Sequence, residues 1–275
     1  MQSVSARGVS RMVGIGLGFA VGAVFFALGS YDAAAQASGT PAAQAPEVKT
    51  PAVAAPAPVP VPDPMRTDWP NLKRFHKDDE ALPAPAADKP RIVFMGDSIT
   101  EGWKRHGVPA EPADPAKDYV NRGISGQTTP QMVLRFRQDV IDLKPSVVVI
   151  FAGTNDIAGN TGDMTAEQTE ENLESMAELA HVHGIKVVLC SILPAYDFPW
   201  KPGREPAPKV VAINSWIKDY AAANGHVYVD FYSATADARG GLPEKLSKDG
   251  VHPNPAGYAI MLPLVEAGIA QALGK

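Results

Sequence analysis

From residue 91 onward, short apolar runs alternate with amphipathic stretches. Ile92-Val93-Phe94-Met95 lies between Pro90 and Gly96, and such an uninterrupted run suits a strand covered on both faces. Four further strands are expected over 119–121, 147–152, 185–192 and 227–232. Between them, apolar positions recur at helical spacing. Val133, Phe136, Val140 and Leu143 follow Thr129-Pro130, an N-cap and first-turn proline. Leu173, Met176, Ala177 and Ala180 follow the capping-box pair Thr165 and Gln168 and stop at Gly184. Helices over 207–223 and 255–273 complete the alternation. Strands alternating with helices predict an α/β fold, a parallel sheet covered on both faces in three α/β/α layers.

The first ninety residues follow another pattern. Arg7 and Arg11 precede an apolar stretch over 12–29, and Ala35-Gln36-Ala37 has the small-x-small form of a signal-peptidase site. Residues 1–37 therefore read as an export signal, with an uncleaved anchor as the alternative. No cysteine follows the apolar run, so a thioether lipid anchor is chemically excluded there. Of 26 prolines, 12 fall between Pro41 and Pro90. Proline lacks an amide donor and fixes φ, so residues 38–64 read as an extended Pro/Ala spacer. Residues 65–90 are more polar, and Trp69, Leu72 and Phe75 are expected to pack on the folded domain as a short helix. The domain itself spans 91–275. The expected location is periplasmic or extracellular, with no membrane span once the signal is removed.

Composition narrows the chemistry. The 275 residues carry a formal net charge of −5, which gives no electrostatic reason to bind nucleic acid. Cys190 is the single cysteine, so a disulfide framework and a cysteine zinc cluster are both excluded. No phosphate-cradling glycine loop follows the first strand.

In parallel α/β sheets, ligands bind outside the carboxyl ends of the strands. The turns expected there are Gly96-Asp97-Ser98, Arg122-Gly123-Ile124-Ser125-Gly126, Gly153-Thr154-Asn155-Asp156 and, after the fifth strand and a polar loop, Asp249-Gly250-Val251-His252. Each has a plain structural reading. Ser98 with Glu101 fits a capping box, and Asp249-Gly250 is a common turn pair. Together they set a hydroxyl, glycine amides, a carboxamide and an Asp/His pair along one edge, the parts of an acyl-transfer site. Of the six histidines, His181, His183 and His226 fall before strands, at the opposite edge; His76 lies in the prelude and His106 lacks a nearby carboxylate. His252 alone has one, Asp249, three residues earlier.

These four blocks resemble the SGNH/GDSL hydrolase family, matching at Gly96-Asp97-Ser98, Gly123, Gly153-Thr154-Asn155-Asp156 and Asp249-Gly250-Val251-His252. The resemblance implies a five-stranded flavodoxin-like sheet in order 2-1-3-4-5 and metal-free, cofactor-free ester hydrolysis through an acyl-serine.

On this reading Ser98, His252 and Asp249 are nucleophile, base and orienting carboxylate. The amides of Ser98 and Gly123 and the side chain of Asn155 are the expected oxyanion donors, with Asp97 supporting the turn. Tyr196, Phe198 and Trp200, after the fourth strand, are expected to offer substrate a flat apolar surface. The expected reaction is removal of short, acetyl-type acyl groups from a small-molecule or glycan ester. A lipase, lysophospholipase or O-acyltransferase using the same site is the alternative, and a catalytically silent glycan-binding module is the alternative of another class.

Overall fold

The structure, a computed structural model, describes residues 67–105 and 114–274. The signal, the spacer, residues 65–66 and His106 lie outside the described residues.

Five parallel strands, β1 (Arg91–Gly96), β2 (Asp118–Gly123), β3 (Val147–Phe151), β4 (Lys186–Cys190) and β5 (Val227–Val229), form one sheet in the order β2-β1-β3-β4-β5. Eight helices accompany it among the described residues: α1 (His76–Ala81), α2 (Ser98–Arg105), α3 (Thr129–Asp139), α4 (Thr154–Ala158), α5 (Ala166–Val182), α6 (Pro206–Ala223), α7 (Phe231–Thr235) and α8 (Pro255–Ala272). Side chains alternate across the sheet with the period of two that a strand imposes. Val93, Met95, Val148 and Ile150 meet Met132, Phe136, Leu173 and Ile213 from α3, α5 and α6. Ile92, Phe94, Val147 and Val149 meet Trp103, Tyr258, Met261 and Val265 from α2 and α8. The result is the three-layer α/β/α fold anticipated from the alternation.

Local departures have local causes. The fifth strand stops at Val229, short of residue 232, because Asp230 caps a new helix by accepting from the Ser233 amide (2.9 Å) and hydroxyl (2.7 Å). The helix expected to reach Leu143 ends at Asp139 and continues as a 3-10 turn over Ile141–Leu143, closed by Lys144 in the left-handed region. In the prelude, the helix begins only at His76. Residues 68–73 form turns in which the Asp68 carboxylate accepts from the amides of Leu72 (2.7 Å) and Lys73 (2.9 Å). Phe75 is buried beneath the Arg122 guanidinium, 4.7 Å from its ring centre, whereas Leu72 is exposed.

A buried cation stiffens the carboxyl edge of the sheet. Arg135 on α3 is fully enclosed, donating to the carbonyls of Arg122 (2.8 Å) and Gly96 (3.0 Å), to Gln127 Oε1 (2.6 Å) and to Asp139 (2.9 Å). It joins the ends of β1 and β2 to the loop that follows β2. Arg135→Ala would leave the Asp139 carboxylate and two carbonyls without their partner, an expected loss of about 3–5 kcal/mol. Urea unfolding followed by circular dichroism measures it; a loss below about 1 kcal/mol would show that water replaces the guanidinium.

Candidate active site

Asp97 terminates β1 and starts α2. Its backbone carbonyl accepts from the Glu101 amide and its Oδ1 from the Ile99 amide, both at 2.9 Å. Ser98 is thus the first residue of α2, where an amide has no intrahelical acceptor and the helix dipole favours negative charge. The capping-box expectation for Glu101 is not met. Its carboxylate accepts instead from Arg74 (3.1 Å) and from the Ser125 amide (3.2 Å), tying the prelude to the turn after β2.

Ser98 Oγ lies 3.0 Å from His252 Nε2, and His252 Nδ1 lies 2.7 Å from Asp249 Oδ2. The other Asp249 oxygen accepts from the amides of His252 (2.8 Å) and Val251 (3.0 Å) and from the Ser247 hydroxyl (3.0 Å). Partial burial would raise the Asp249 pKa, but these hydrogen bonds outweigh it and bring the carboxyl down to about 2. Asp97 is the contrast, since complete burial pushes it up to about 7 despite the Ile99 amide. Only Asp249 is fully ionised across the neutral range, so it, and not Asp97, is equipped to balance an imidazolium.

Asn155, on α4, is clamped from three sides. Its Nδ2 donates to the Gln127 carbonyl (2.9 Å) and, at greater length, to Asp97 Oδ2 (3.2 Å), while its Oδ1 accepts from Asn160 Nδ2 (2.7 Å). Asp156 accepts from the amide and hydroxyl of Thr129 and so anchors the start of α3; burial raises it to about 6. The loop between β2 and α3 is therefore pinned at both ends.

Within that loop the two glycines differ. The Gly123 amide donates to Asn121 Oδ1 at 2.9 Å, so the donor expected for an oxyanion is already engaged. A Cβ at Gly123 would sit 2.2 Å from the Glu101 amide nitrogen, so this glycine serves the close approach of α2 to β2. Gly126 is exposed, holds φ +77°, and has open space where a Cβ would be. Among the described residues its amide has no hydrogen-bond partner. The signal for it lay in Gly123-Ile124-Ser125-Gly126, a turn with two glycines of which the second carries the left-handed conformation.

The three aromatic residues after β4 separate. Phe198 is buried in the core and offers no surface, which corrects the expectation for it. Tyr196 is exposed and lies under the Arg239 guanidinium, 5.4 Å from its ring centre. Trp200 is exposed, with its ring centre 5.8 Å from that of His252 and its Nε1 donating to Asn160 Oδ1 (2.9 Å). Asn160, absent from the sequence reading, thus joins Trp200 to Asn155 and, at 3.3 Å, to the Gly126 carbonyl. His181 and His226 meet at 6.4 Å, away from this cluster and before β4 and β5.

The profile of the GDSL-like Lipase/Acylhydrolase family matches residues 94–260. The crystal structure of a GDSL-like lipase from Bacteroides thetaiotaomicron is 44% identical, with a TM-score of 0.71 over 74% of this chain and 100% of that one. Esterase TesA of Pseudomonas aeruginosa is 31% identical over 173 residues, 59% of this chain and 79% of its own length. An acetylxylan esterase of Xylanibacter ruminicola is 25% identical over 224 residues, 69% of this chain, and an uncharacterized lipoprotein of Bacillus subtilis, YqeF, is 36% identical over 120 residues, 38% of this chain. The chain spans about half the length of these last two, 45% and 49% respectively. With the profile running from β1 into α8 over the sheet and all four site turns, the chain belongs to the GDSL-like lipase/acylhydrolase family.

Proposed function

We propose that this protein is an exported serine esterase that removes short acyl groups, acetyl above all, from hydroxyls of carbohydrate. The observation that carries the reading is the continuous relay from Ser98 Oγ through His252 to Asp249, at 3.0 and 2.7 Å. A serine hydroxyl is weakly nucleophilic at neutral pH and needs such a base. With Nδ1–H donated to Asp249, His252 Nε2 accepts the Ser98 proton as Oγ attacks the ester carbonyl. The imidazolium then protonates the departing alcohol oxygen. Water, deprotonated by His252, then attacks the acyl-serine carbonyl; the bond to Ser98 Oγ breaks, the acid leaves, and the imidazolium returns the proton to Oγ.

Charge on the carbonyl oxygen is met by the amides of Ser98 and Gly126 and by Asn155 Nδ2, whose longer bond to Asp97 is the one it relaxes. Gly126 replaces Gly123 in this role because its amide is unengaged. The acetylxylan esterase relative favours an acetylated glycan substrate, and the leader-like first 37 residues together with the lipoprotein relative favour export.

The test is hydrolysis of p-nitrophenyl esters of increasing chain length and of acetylated xylan by the full chain, with Ser98→Ala as blank. Acetate release from xylan and a rate that declines from acetyl to longer esters are expected. Octanoyl or longer esters outpacing acetyl would overturn the short-acyl assignment.

A further inference from the structure

Outside the relay, an open groove of about 680 Å³ runs between the prelude and the turn after β2. Asp68, Trp69 and Lys73 form one wall; Ser125, Gly126 and Asn160 stand on the other. We infer that this groove holds the sugar ring bearing the ester, with Trp69 as its stacking face and Lys73 as a hydroxyl ligand. The inference rests on the esterase reading above and names the part of the substrate that this chain recognises.

Placement is the first argument. Gly126 forms part of the groove and supplies an unengaged amide to the reacting carbonyl, so whatever fills the groove lies beside the scissile bond. Asn160 ties the groove to the relay through Trp200, whose ring faces His252. Chemistry is the second argument. The lining offers one indole, one ammonium group, the Asp68 carboxylate that already accepts from the Leu72 and Lys73 amides, and several hydroxyl and amide groups, with Ile124 as its aliphatic member. An acyl chain would gain little there, whereas a pyranose presents a C–H face to an indole and hydroxyls to the polar groups around it.

The wall is also built to stay in place. Three glutamine side chains donate to consecutive parts of the prelude backbone: Gln131 to the Trp69 carbonyl (2.8 Å), Gln127 to Pro70 (2.8 Å) and Gln138 to Leu72 (2.6 Å). A preformed wall spares the ordering cost that a loose segment would add to binding. Asp68, Trp69 and Lys73 precede the stretch matched by the family profile, which begins at residue 94, whereas Ser125, Gly126 and Asn160 lie within it.

The experiment compares the full-length wild type with Trp69→Ala, Trp69→Phe and Lys73→Ala on p-nitrophenyl acetate and on acetylated xylo-oligosaccharides. Trp69→Ala should lower kcat/KM on the oligosaccharides about tenfold, mainly through KM, and change p-nitrophenyl acetate less than about twofold. Trp69→Phe should restore most of the loss, and Lys73→Ala should cost about threefold on the oligosaccharides alone. Equal losses on both substrates, or none, would overturn the groove assignment while leaving the esterase reading intact. A wild type that cleaves p-nitrophenyl acetate but no acetylated sugar would overturn the carbohydrate reading itself, and the groove with it. If Trp69→Ala does not fold, Trp69→Phe and Lys73→Ala decide the matter by the same selectivity between substrates.

Discussion

Alanine at His252 is expected to lower kcat for p-nitrophenyl acetate by on the order of 10⁵-fold, with the melting temperature barely moved. The ring sits in a surface turn, so its removal opens no core cavity, yet it eliminates the only imidazole within 3.0 Å of Ser98 Oγ among the described residues. Asp249→Asn should be milder, on the order of 10⁴-fold, because the amide keeps the shape of the turn but favours the wrong imidazole tautomer. A fluorophosphonate probe gives a second readout, since Ser98 in the His252→Ala protein should label far more slowly. Retention of more than about one per cent of wild-type turnover by His252→Ala would mean that another base serves Ser98.

Outside the relay, Asn155→Ala carries the largest expected effect, a fall of on the order of 10²–10³-fold in kcat with KM changed less than about threefold. The side chain contributes to the transition state if one Nδ2 proton turns from Asp97 to the developing oxyanion, an interaction absent from the bound ester. A residue that only braced the loop would behave differently, because loosening the Gln127 carbonyl and Asn160 would disturb substrate binding as well. The kcat-against-KM split therefore separates donor from brace. Asn155→Ala with normal kcat and a raised KM would remove the side chain from the oxyanion site.

The sheet was legible because strands buried on both faces must be apolar throughout, as 92–95 and 147–151 are, and because helical spacing between them leaves few alternatives. The relay was legible for a related reason: Asp249 and His252 share one turn, and Ser98 follows a strand directly. What was hidden depends on partners distant in the chain. Nothing local says that Glu101 reaches Ser125 and Arg74 instead of capping its own helix, or that Arg135, on an otherwise ordinary helix, is enclosed by four acceptors. Phe198 and Trp200 read alike as aromatic loop residues, and only the packing sends one inward and leaves the other against His252. Nor does anything local say that the Gly123 amide is engaged by the Asn121 side chain.

The docking of the prelude bears on where the cooperative folding unit begins. Arg91 donates to the Pro83 carbonyl at 2.7 Å, and Arg122 pairs with Asp79 while covering Phe75. A chain trimmed to start at residue 91 would take Pro83 from Arg91, Asp79 and Phe75 from Arg122, and the Trp69 and Pro70 carbonyls from Gln131 and Gln127. The prelude is thus packed into the same body as the sheet from at least Trp69, whose carbonyl accepts from Gln131, and a deletion drawn at the first strand is expected to report on a damaged body instead of on a dispensable tail.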